Sequence, residues 1–176
     1  MNNYKQQITT LKQILEGLET VFDRRTPPFG DITKEDLKEL RHWAIFVHAE
    51  MDDGMTTTIL HYFYPKGILI RDKPLTGPQL ARARFLYDNF IERLGFARRL
   101  EVFRKLNETY EFDVDLFRLM TRVNDIRNDF AHPSWNSLGK YVSFRQLHRA
   151  YADLVDGITA FKVAIEKVKT INLSLD

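Results

Sequence analysis

Residues 147–168 read LHRAYADLVDGITAFKVAIEKV and carry the most regular apolar pattern in the chain. Large apolar residues follow one another in an unbroken 4-3-4-3-4-3 spacing: Leu147, Tyr151, Leu154, Ile158, Phe161, Ile165 and Val168. Because an α-helix turns once in about 3.6 residues, this spacing puts all seven side chains on one face. The stretch therefore predicts a long helix whose apolar face is covered, either by helices of the same chain or by a partner chain.

Similar helical stripes precede this stretch. The first comprises Ile8, Leu11, Leu15, Leu18 and Phe22, the second Leu37, Leu40, Ala44, Val47 and Met51, and the third Leu116, Leu119, Met120, Val123, Ile126 and Phe130. Residues 1–176 are therefore predicted to form a single all-α domain, a bundle of about five or six helices.

Capping and breaking residues delimit these helices. Thr33 with Asp36 three residues on predicts the start of the second helix, which we expect to continue past Gly54. Residues 68–70 are interpreted as a short extended piece and residues 72–78 as a loop. Gly95 is expected to separate two helical pieces, and Asp113 to cap the helix that follows them.

The composition excludes several functional classes. Hydrophobic residues make up 44% of the chain and charged residues 28%, a balance typical of a folded globular domain. The chain has no cysteine, which excludes disulfides, thiolate metal sites and a cysteine nucleophile. The longest apolar runs are about five residues and no signal-peptide core is evident, so we expect a cytoplasmic protein without a membrane segment.

The stretch VNDIRNDFAHP at residues 123–133 combines functional residue types in an informative position. Counting back from Phe130 by helical intervals places Arg127 in or beside the third apolar stripe. A guanidinium there needs partners, because an unpaired buried charge is costly. Two interpretations remain open: a structural ion pair with a carboxylate such as Glu50 or Asp129, or an anion site in which the planar fork of arginine suits phosphate.

His132 lies at the expected end of the same helix, before Pro133. The negative end of the helix dipole favours its protonated form there. A histidine that titrates near neutral pH is able to give and take protons, as phosphodiester cleavage requires. The alternative is an ordinary structural helix end.

The string Arg127-Asn128-Asp129-Phe130-Ala131-His132 resembles the signature of the HEPN superfamily, Arg-x(4–6)-His with a polar residue after the arginine. It also resembles relatives of the mannitol operon repressor and bacterial proteins with an Ile-Arg-Asn-x-Phe-Ala-His string. Helix order is similar over most of the chain, whereas specific residues match from about Val123 to His132. The resemblance implies a HEPN-like bundle.

That resemblance also implies a reaction. HEPN ribonucleases act as homodimers without metal or other cofactor, and their two motif copies face each other across the interface. Arg127 would then bind the scissile phosphate, His132 would act as general base or acid, and Asn128 would orient the histidine or bind the phosphate. The products would carry a 2′,3′-cyclic phosphate and a 5′-hydroxyl.

Ser134 departs from one subgroup of the family. HEPN toxins that pair with a nucleotidyltransferase antitoxin often have tyrosine two residues after the histidine, which weakens the expectation of that antitoxin partner.

The first functional hypothesis is a toxin or defence ribonuclease. The second is a non-catalytic HEPN-like regulator that binds RNA, DNA-associated factors or a protein partner, and the third is a purely structural bundle.

Two further polar groups are interpreted as solvated helix surface. Glu50, Asp52 and Asp53 span barely one turn and do not make a convincing metal cluster. Arg41 and His48 form a second Arg-His pair, but they stand two turns apart, about 10 Å along the axis.

Residues 81–106 form a basic stretch, with seven positive and three negative side chains in a protein of net charge +2. A basic stretch with interleaved aromatic residues suits single-stranded RNA. The candidate RNA-binding residues are Arg93, Arg98, Arg99 and Arg104. The aromatic residues Phe85, Tyr87, Phe90, Phe96 and Phe103 are interpreted as core, and base stacking is the alternative.

Overall fold

The computed structural model describes residues 2–23, 32–63, 77–131 and 139–174. These residues form seven α-helices: α1 (Asn2–Asp23), α2 (Lys34–Phe63), α3 (Gly77–Leu86), α4 (Phe96–Lys105), α5 (Asn107–Tyr110), α6 (Leu116–Ala131) and α7 (Phe144–Ser174). A π-helical turn, Tyr87–Ile91, extends α3, and a 3₁₀ turn, Gly139–Tyr141, precedes α7. The all-α prediction is confirmed, and the four-residue α5 is an element that the apolar pattern did not predict.

Helix α7 is the centre of the bundle. All seven residues of its predicted stripe have no exposed surface, and α1, α2 and α6 cover them. Gly157 permits the close approach of α6, because a Cβ atom there would lie 2.6 Å from Cγ2 of Val123. The apolar face is thus covered within one chain, which confirms the core-helix interpretation.

Helix α2 begins as predicted. The backbone N–H of Asp36 donates to Oγ1 of Thr33 at 3.2 Å, and the backbone N–H of Thr33 donates to the Asp36 carboxylate at 2.8 Å. This reciprocal capping satisfies donors that a helix start leaves free. The helix continues through Gly54 to Phe63.

Helix α6 packs against both α2 and α7. Every apolar residue predicted for its stripe is buried. The described part of the helix runs to Ala131, and the predicted stop at Pro133 lies outside the described residues. Before its start, the backbone N–H of Asp115 donates to Oδ1 of Asp113 at 2.8 Å, which confirms the predicted cap. This packing fixes the rotation of α6 and therefore where its polar residues point.

Gly95 separates the π-helical turn from α4, as predicted. The predicted extended piece at 68–70 and most of the loop at 72–78 lie outside the described residues, as do His132, Pro133 and Ser134. Among the helices that the structure describes, none combines the length and the apolarity that crossing a bilayer requires.

Candidate functional site

Arg127 and Asn128 lie in the last turn of α6, between Ile126 and Phe130, which are buried. Arg127 is half-buried, in agreement with its predicted place beside the apolar stripe. It donates a hydrogen bond to Oδ1 of Asn128 at 3.0 Å. These two members of the predicted catalytic set are therefore in direct contact, while the third, His132, lies outside the described residues.

The ion pair of Arg127 with Glu50 or Asp129, one of the two interpretations left open, is not formed. Asp129 instead accepts hydrogen bonds from the Lys140 ammonium at 2.9 Å and from the Tyr141 hydroxyl at 2.8 Å. Across the part of the chain that the structure describes, Arg127 pairs with no carboxylate. A guanidinium has five N–H donors, so most of the Arg127 donors have no acceptor among the residues that the structure describes.

His48 of α2 joins this site, and its interpretation as a solvated residue is wrong. The side chain is half-buried, and its Nε2 donates to Oδ1 of Asn124 at 3.2 Å. Its ring stacks on Phe96 of α4, with 4.2 Å between the centroids. Asn124 precedes Arg127 by three residues and so shares its face of α6. That spacing was a usable signal, whereas the contact with His48 depends on how α2 and α6 pack.

The surroundings of His48 favour the neutral form of its imidazole. Burial lowers the pKa of His48 below its ordinary value, and the positive charge of Arg127 lowers it further. The hydrogen bond to Asn124 and the nearby Asp52 carboxylate oppose this shift in pKa. A neutral imidazole whose Nε2–H donates to Asn124 keeps Nδ1 as a hydrogen-bond acceptor.

Arg99, a predicted RNA-binding residue, lies on the other side of His48 and has several hydrogen-bond partners. Its guanidinium forms an ion pair with Asp52, donates to Oγ1 of Thr56 at 3.3 Å, and donates to the carbonyl oxygen of Leu94 at 2.6 Å. Only 14% of the Arg99 side chain and 28% of the Asp52 side chain are exposed. Asp52 is therefore part of an internal ion pair, and its interpretation as solvated surface is wrong.

The other three candidate RNA-binding residues lie on the surface. Arg98 pairs with Glu101 at 2.7 Å. The guanidinium carbon of Arg104 lies 5.2 Å from the centroid of the Phe117 ring, a cation–π arrangement. Arg93 is exposed. Their assignment to RNA stays a prediction.

Three of the five aromatic residues interpreted as core are exposed: Phe85 by 62%, Phe90 by 56% and Tyr87 by 37%. Helix α3 and the π-helical turn contact mainly each other and pack little against the rest of the described bundle, which leaves these rings exposed. In the turn, the backbone N–H of Glu92 donates to the carbonyl oxygen of Tyr87, five residues earlier. Residues five apart do not share a face of an α-helix, whereas the wider turn brings Phe85 and Phe90 together, with 6.0 Å between their centroids. Phe103 is fully buried, as predicted.

The cluster at the junction of α2 and α6 thus offers one half-buried guanidinium, two carboxamides and a neutral imidazole. These groups supply donors for an anion. Within the described ranges, no group of three or more His, Asp or Glu side chains is placed to hold a metal ion. No family model, curated protein or solved structure matches this chain.

Proposed function

We propose that this chain is a metal-independent endoribonuclease of the HEPN type. The observation that supports it best is the half-buried Arg127 guanidinium, which contacts Asn128 and has no carboxylate partner among the described residues. Burying a cation without a counterion is unfavourable, and a phosphodiester would supply the missing charge. Substrate RNA is thus the proposed counterion of Arg127.

In the proposed reaction the ribose 2′-oxygen attacks the adjacent phosphorus and the bond from phosphorus to the 5′-oxygen breaks. A base takes the 2′-hydroxyl proton, and an acid protonates the departing 5′-oxygen. His132 fills one of these roles, and Arg127 stabilises the negative charge that develops on the phosphoryl oxygens. Asn128, which accepts a hydrogen bond from Arg127, holds the guanidinium in position.

The composite form of this site requires a homodimer, in which two copies of the motif share one cleft. Each copy would then supply one arginine and one histidine, so that separate histidines serve as acid and base. A toxin or defence role and a cytoplasmic location belong to the same proposal. An antitoxin or regulatory protein would act by blocking this cleft.

Cleavage of labelled single-stranded RNA in excess EDTA tests the proposal. Wild-type protein is expected to leave 2′,3′-cyclic phosphate and 5′-hydroxyl ends. Arg127→Ala and His132→Ala are each expected to lower the rate at least about 100-fold, because each removes a group that acts in the transition state.

Arg118→Ala is the matched control, since Arg118 lies on the same helix, is exposed and pairs with Asp115 at the surface. It is expected to retain wild-type cleavage. Equal cleavage by wild type and all three variants would identify a contaminant and refute the proposal, as would wild-type protein that leaves RNA intact.

A non-catalytic role in RNA binding is the second candidate function, and the exposed aromatic pair Phe85 and Phe90 favours it. Exposed aromatic rings are able to stack on bases, and Arg82, Arg84 and Arg93 are exposed nearby in the chain. This role would be supported over the first if the wild-type protein binds RNA without cleaving it. The double variant Phe85→Ala/Phe90→Ala should then bind RNA more weakly.

A further inference from the structure

A polar cleft lies between α1 and α2, on a different face of α2 from His48. Its volume is about 250 Å³. Amides, hydroxyls and carboxylates line it: Gln6, Gln7, Thr10, Glu50, Asp53 and Thr57. Pockets for drug-sized ligands span about 300–1,000 Å³, so this cleft suits a smaller and strongly polar molecule.

The charge of the cleft is negative. Glu50 and Asp53 are one helical turn apart on α2, and among the described residues neither forms an ion pair or a side-chain hydrogen bond. Partial desolvation raises the pKa of both carboxyls; the charge of Asp53 adds to the rise for Glu50, and the charge of Asp52 adds to it for Asp53, whose outer part stays exposed. Two carboxylates this close repel one another, and a cation between them would remove that repulsion.

Gln7 supplies an independent sign of a missing partner. It is only 8% exposed, and neither its amide nitrogen nor its amide oxygen has a hydrogen-bond partner. The amide lies against α2 at Gly54, where a Cβ atom would be 2.6 Å from Nε2 of Gln7. A buried amide without a partner costs about 1–3 kcal/mol, and buried polar groups are almost always hydrogen-bonded.

We propose that this cleft binds a small organic cation that carries a primary ammonium group. An ammonium donates three hydrogen bonds, which match the carboxylates of Glu50 and Asp53 and the amide oxygen of Gln7. The exposed Asp53 forms the rim of the cleft, and the buried Gln7 forms its inner end. This site is separate from the phosphate site proposed at Arg127 and does not depend on it.

A single divalent metal ion fits the cleft less well. Ca²⁺ takes six to eight oxygen ligands at about 2.3–2.6 Å, and Mg²⁺ requires near-octahedral geometry at about 2.0–2.1 Å. In a space of about 250 Å³, the two carboxylates would supply only part of the coordination shell of such an ion, and other groups would have to supply the rest. A molecule of several heavy atoms uses the space and the hydroxyls of Thr10 and Thr57 as well.

Isothermal titration calorimetry at low ionic strength, with putrescine as the probe, tests this assignment. Putrescine is expected to bind the full chain at one site, and the uncharged analogue 1,4-butanediol is expected not to bind. Glu50→Gln/Asp53→Asn is expected to weaken putrescine binding at least tenfold. Glu16→Gln, which removes an exposed carboxylate of α1 outside the cleft, should leave binding unchanged.

Gln7→Met separates binding from folding. It replaces an unpartnered buried amide by an apolar chain of similar size, so the free energy of unfolding should stay the same or rise. Putrescine binding should nevertheless weaken. The proposal would be overturned if Gln7→Met or Glu50→Gln/Asp53→Asn bound putrescine as tightly as wild type. It would also be overturned if Glu16→Gln lost as much affinity for putrescine as these variants, or if the protein bound Mg²⁺ or Ca²⁺ but not putrescine.

Discussion

Two arginines flank His48, and they differ in their hydrogen-bond and ion-pair partners. Arg99 of α4 has three partners, Asp52, Thr56 and the Leu94 carbonyl oxygen. Arg127 of α6 has one described partner, the neutral carboxamide of Asn128. Both positive charges lower the pKa of His48, and the effect of Arg127 is the larger.

Under the proposed function, this difference separates a guanidinium that serves the fold from one that binds a ligand. Residue type and partial burial are the same at both positions, so neither property assigns a role. The partners differ: Arg99 has a carboxylate counterion, whereas Arg127 has none among the described residues, and a half-buried cation without a counterion favours an anionic ligand.

The largest expected effect concerns stability. Arg99→Ala should lower the free energy of unfolding by about 2–3 kcal/mol, because it leaves the partly buried Asp52 carboxylate without its counterion. Arg127→Ala should change it by less than about 1 kcal/mol, since only one hydrogen bond to Asn128 is lost. Urea denaturation of both variants measures the contrast. Equal losses would show that Arg127 is as structural as Arg99.

An intermediate effect is expected from added phosphate. A ligand that binds only the folded state stabilises it, by about 1 kcal/mol at roughly five times its Kd. We expect inorganic phosphate to stabilise wild type and Arg118→Ala but not Arg127→Ala, in thermal unfolding at constant ionic strength. Stabilisation that persists in Arg127→Ala would place the anion elsewhere.

The smallest expected effect is on the titration of His48. Arg127→Ala should raise the pKa of His48 more than Arg99→Ala does, because the charge of Arg127 has the greater influence. NMR titration of the imidazole measures both shifts. A larger shift in Arg99→Ala would contradict the arrangement.

The lowered pKa of His48 also has a consequence for stability. The unfolded chain binds this proton at a higher pH than the folded chain, so His48 lowers the free energy of unfolding as the pH falls below about 6.5. Arg127→Ala should reduce this loss, because the pKa of the folded state moves back towards the ordinary value. Unfolding measured at pH 7 and at pH 5.5 gives the comparison.

Much of the fold was predictable because its signals are local. The seven-residue stripe of α7, the Thr33 cap and the break at Gly95 follow from spacing and turn chemistry, and all are confirmed. The half-buried position of Arg127 followed from the same counting. Such features need no knowledge of how one helix packs on another.

The surroundings of the site were less predictable, because they depend on packing between helices. The contact of His48 with Asn124 joins residues 76 positions apart. The exposure of Phe85 and Phe90 depends on how little α3 and the π-helical turn pack against the other helices, and local apolar spacing does not encode that. The chemistry of His132 stays a prediction.

If Arg127 serves a ligand rather than the fold, its loss should affect RNA cleavage and not stability. Both are measured on one sample of Arg127→Ala, as RNA cleavage in EDTA and as the free energy of unfolding. We expect cleavage to fall at least about 100-fold while the free energy of unfolding changes by less than about 1 kcal/mol. Retained cleavage, or a loss of stability as large as that of Arg99→Ala, would contradict this role of Arg127.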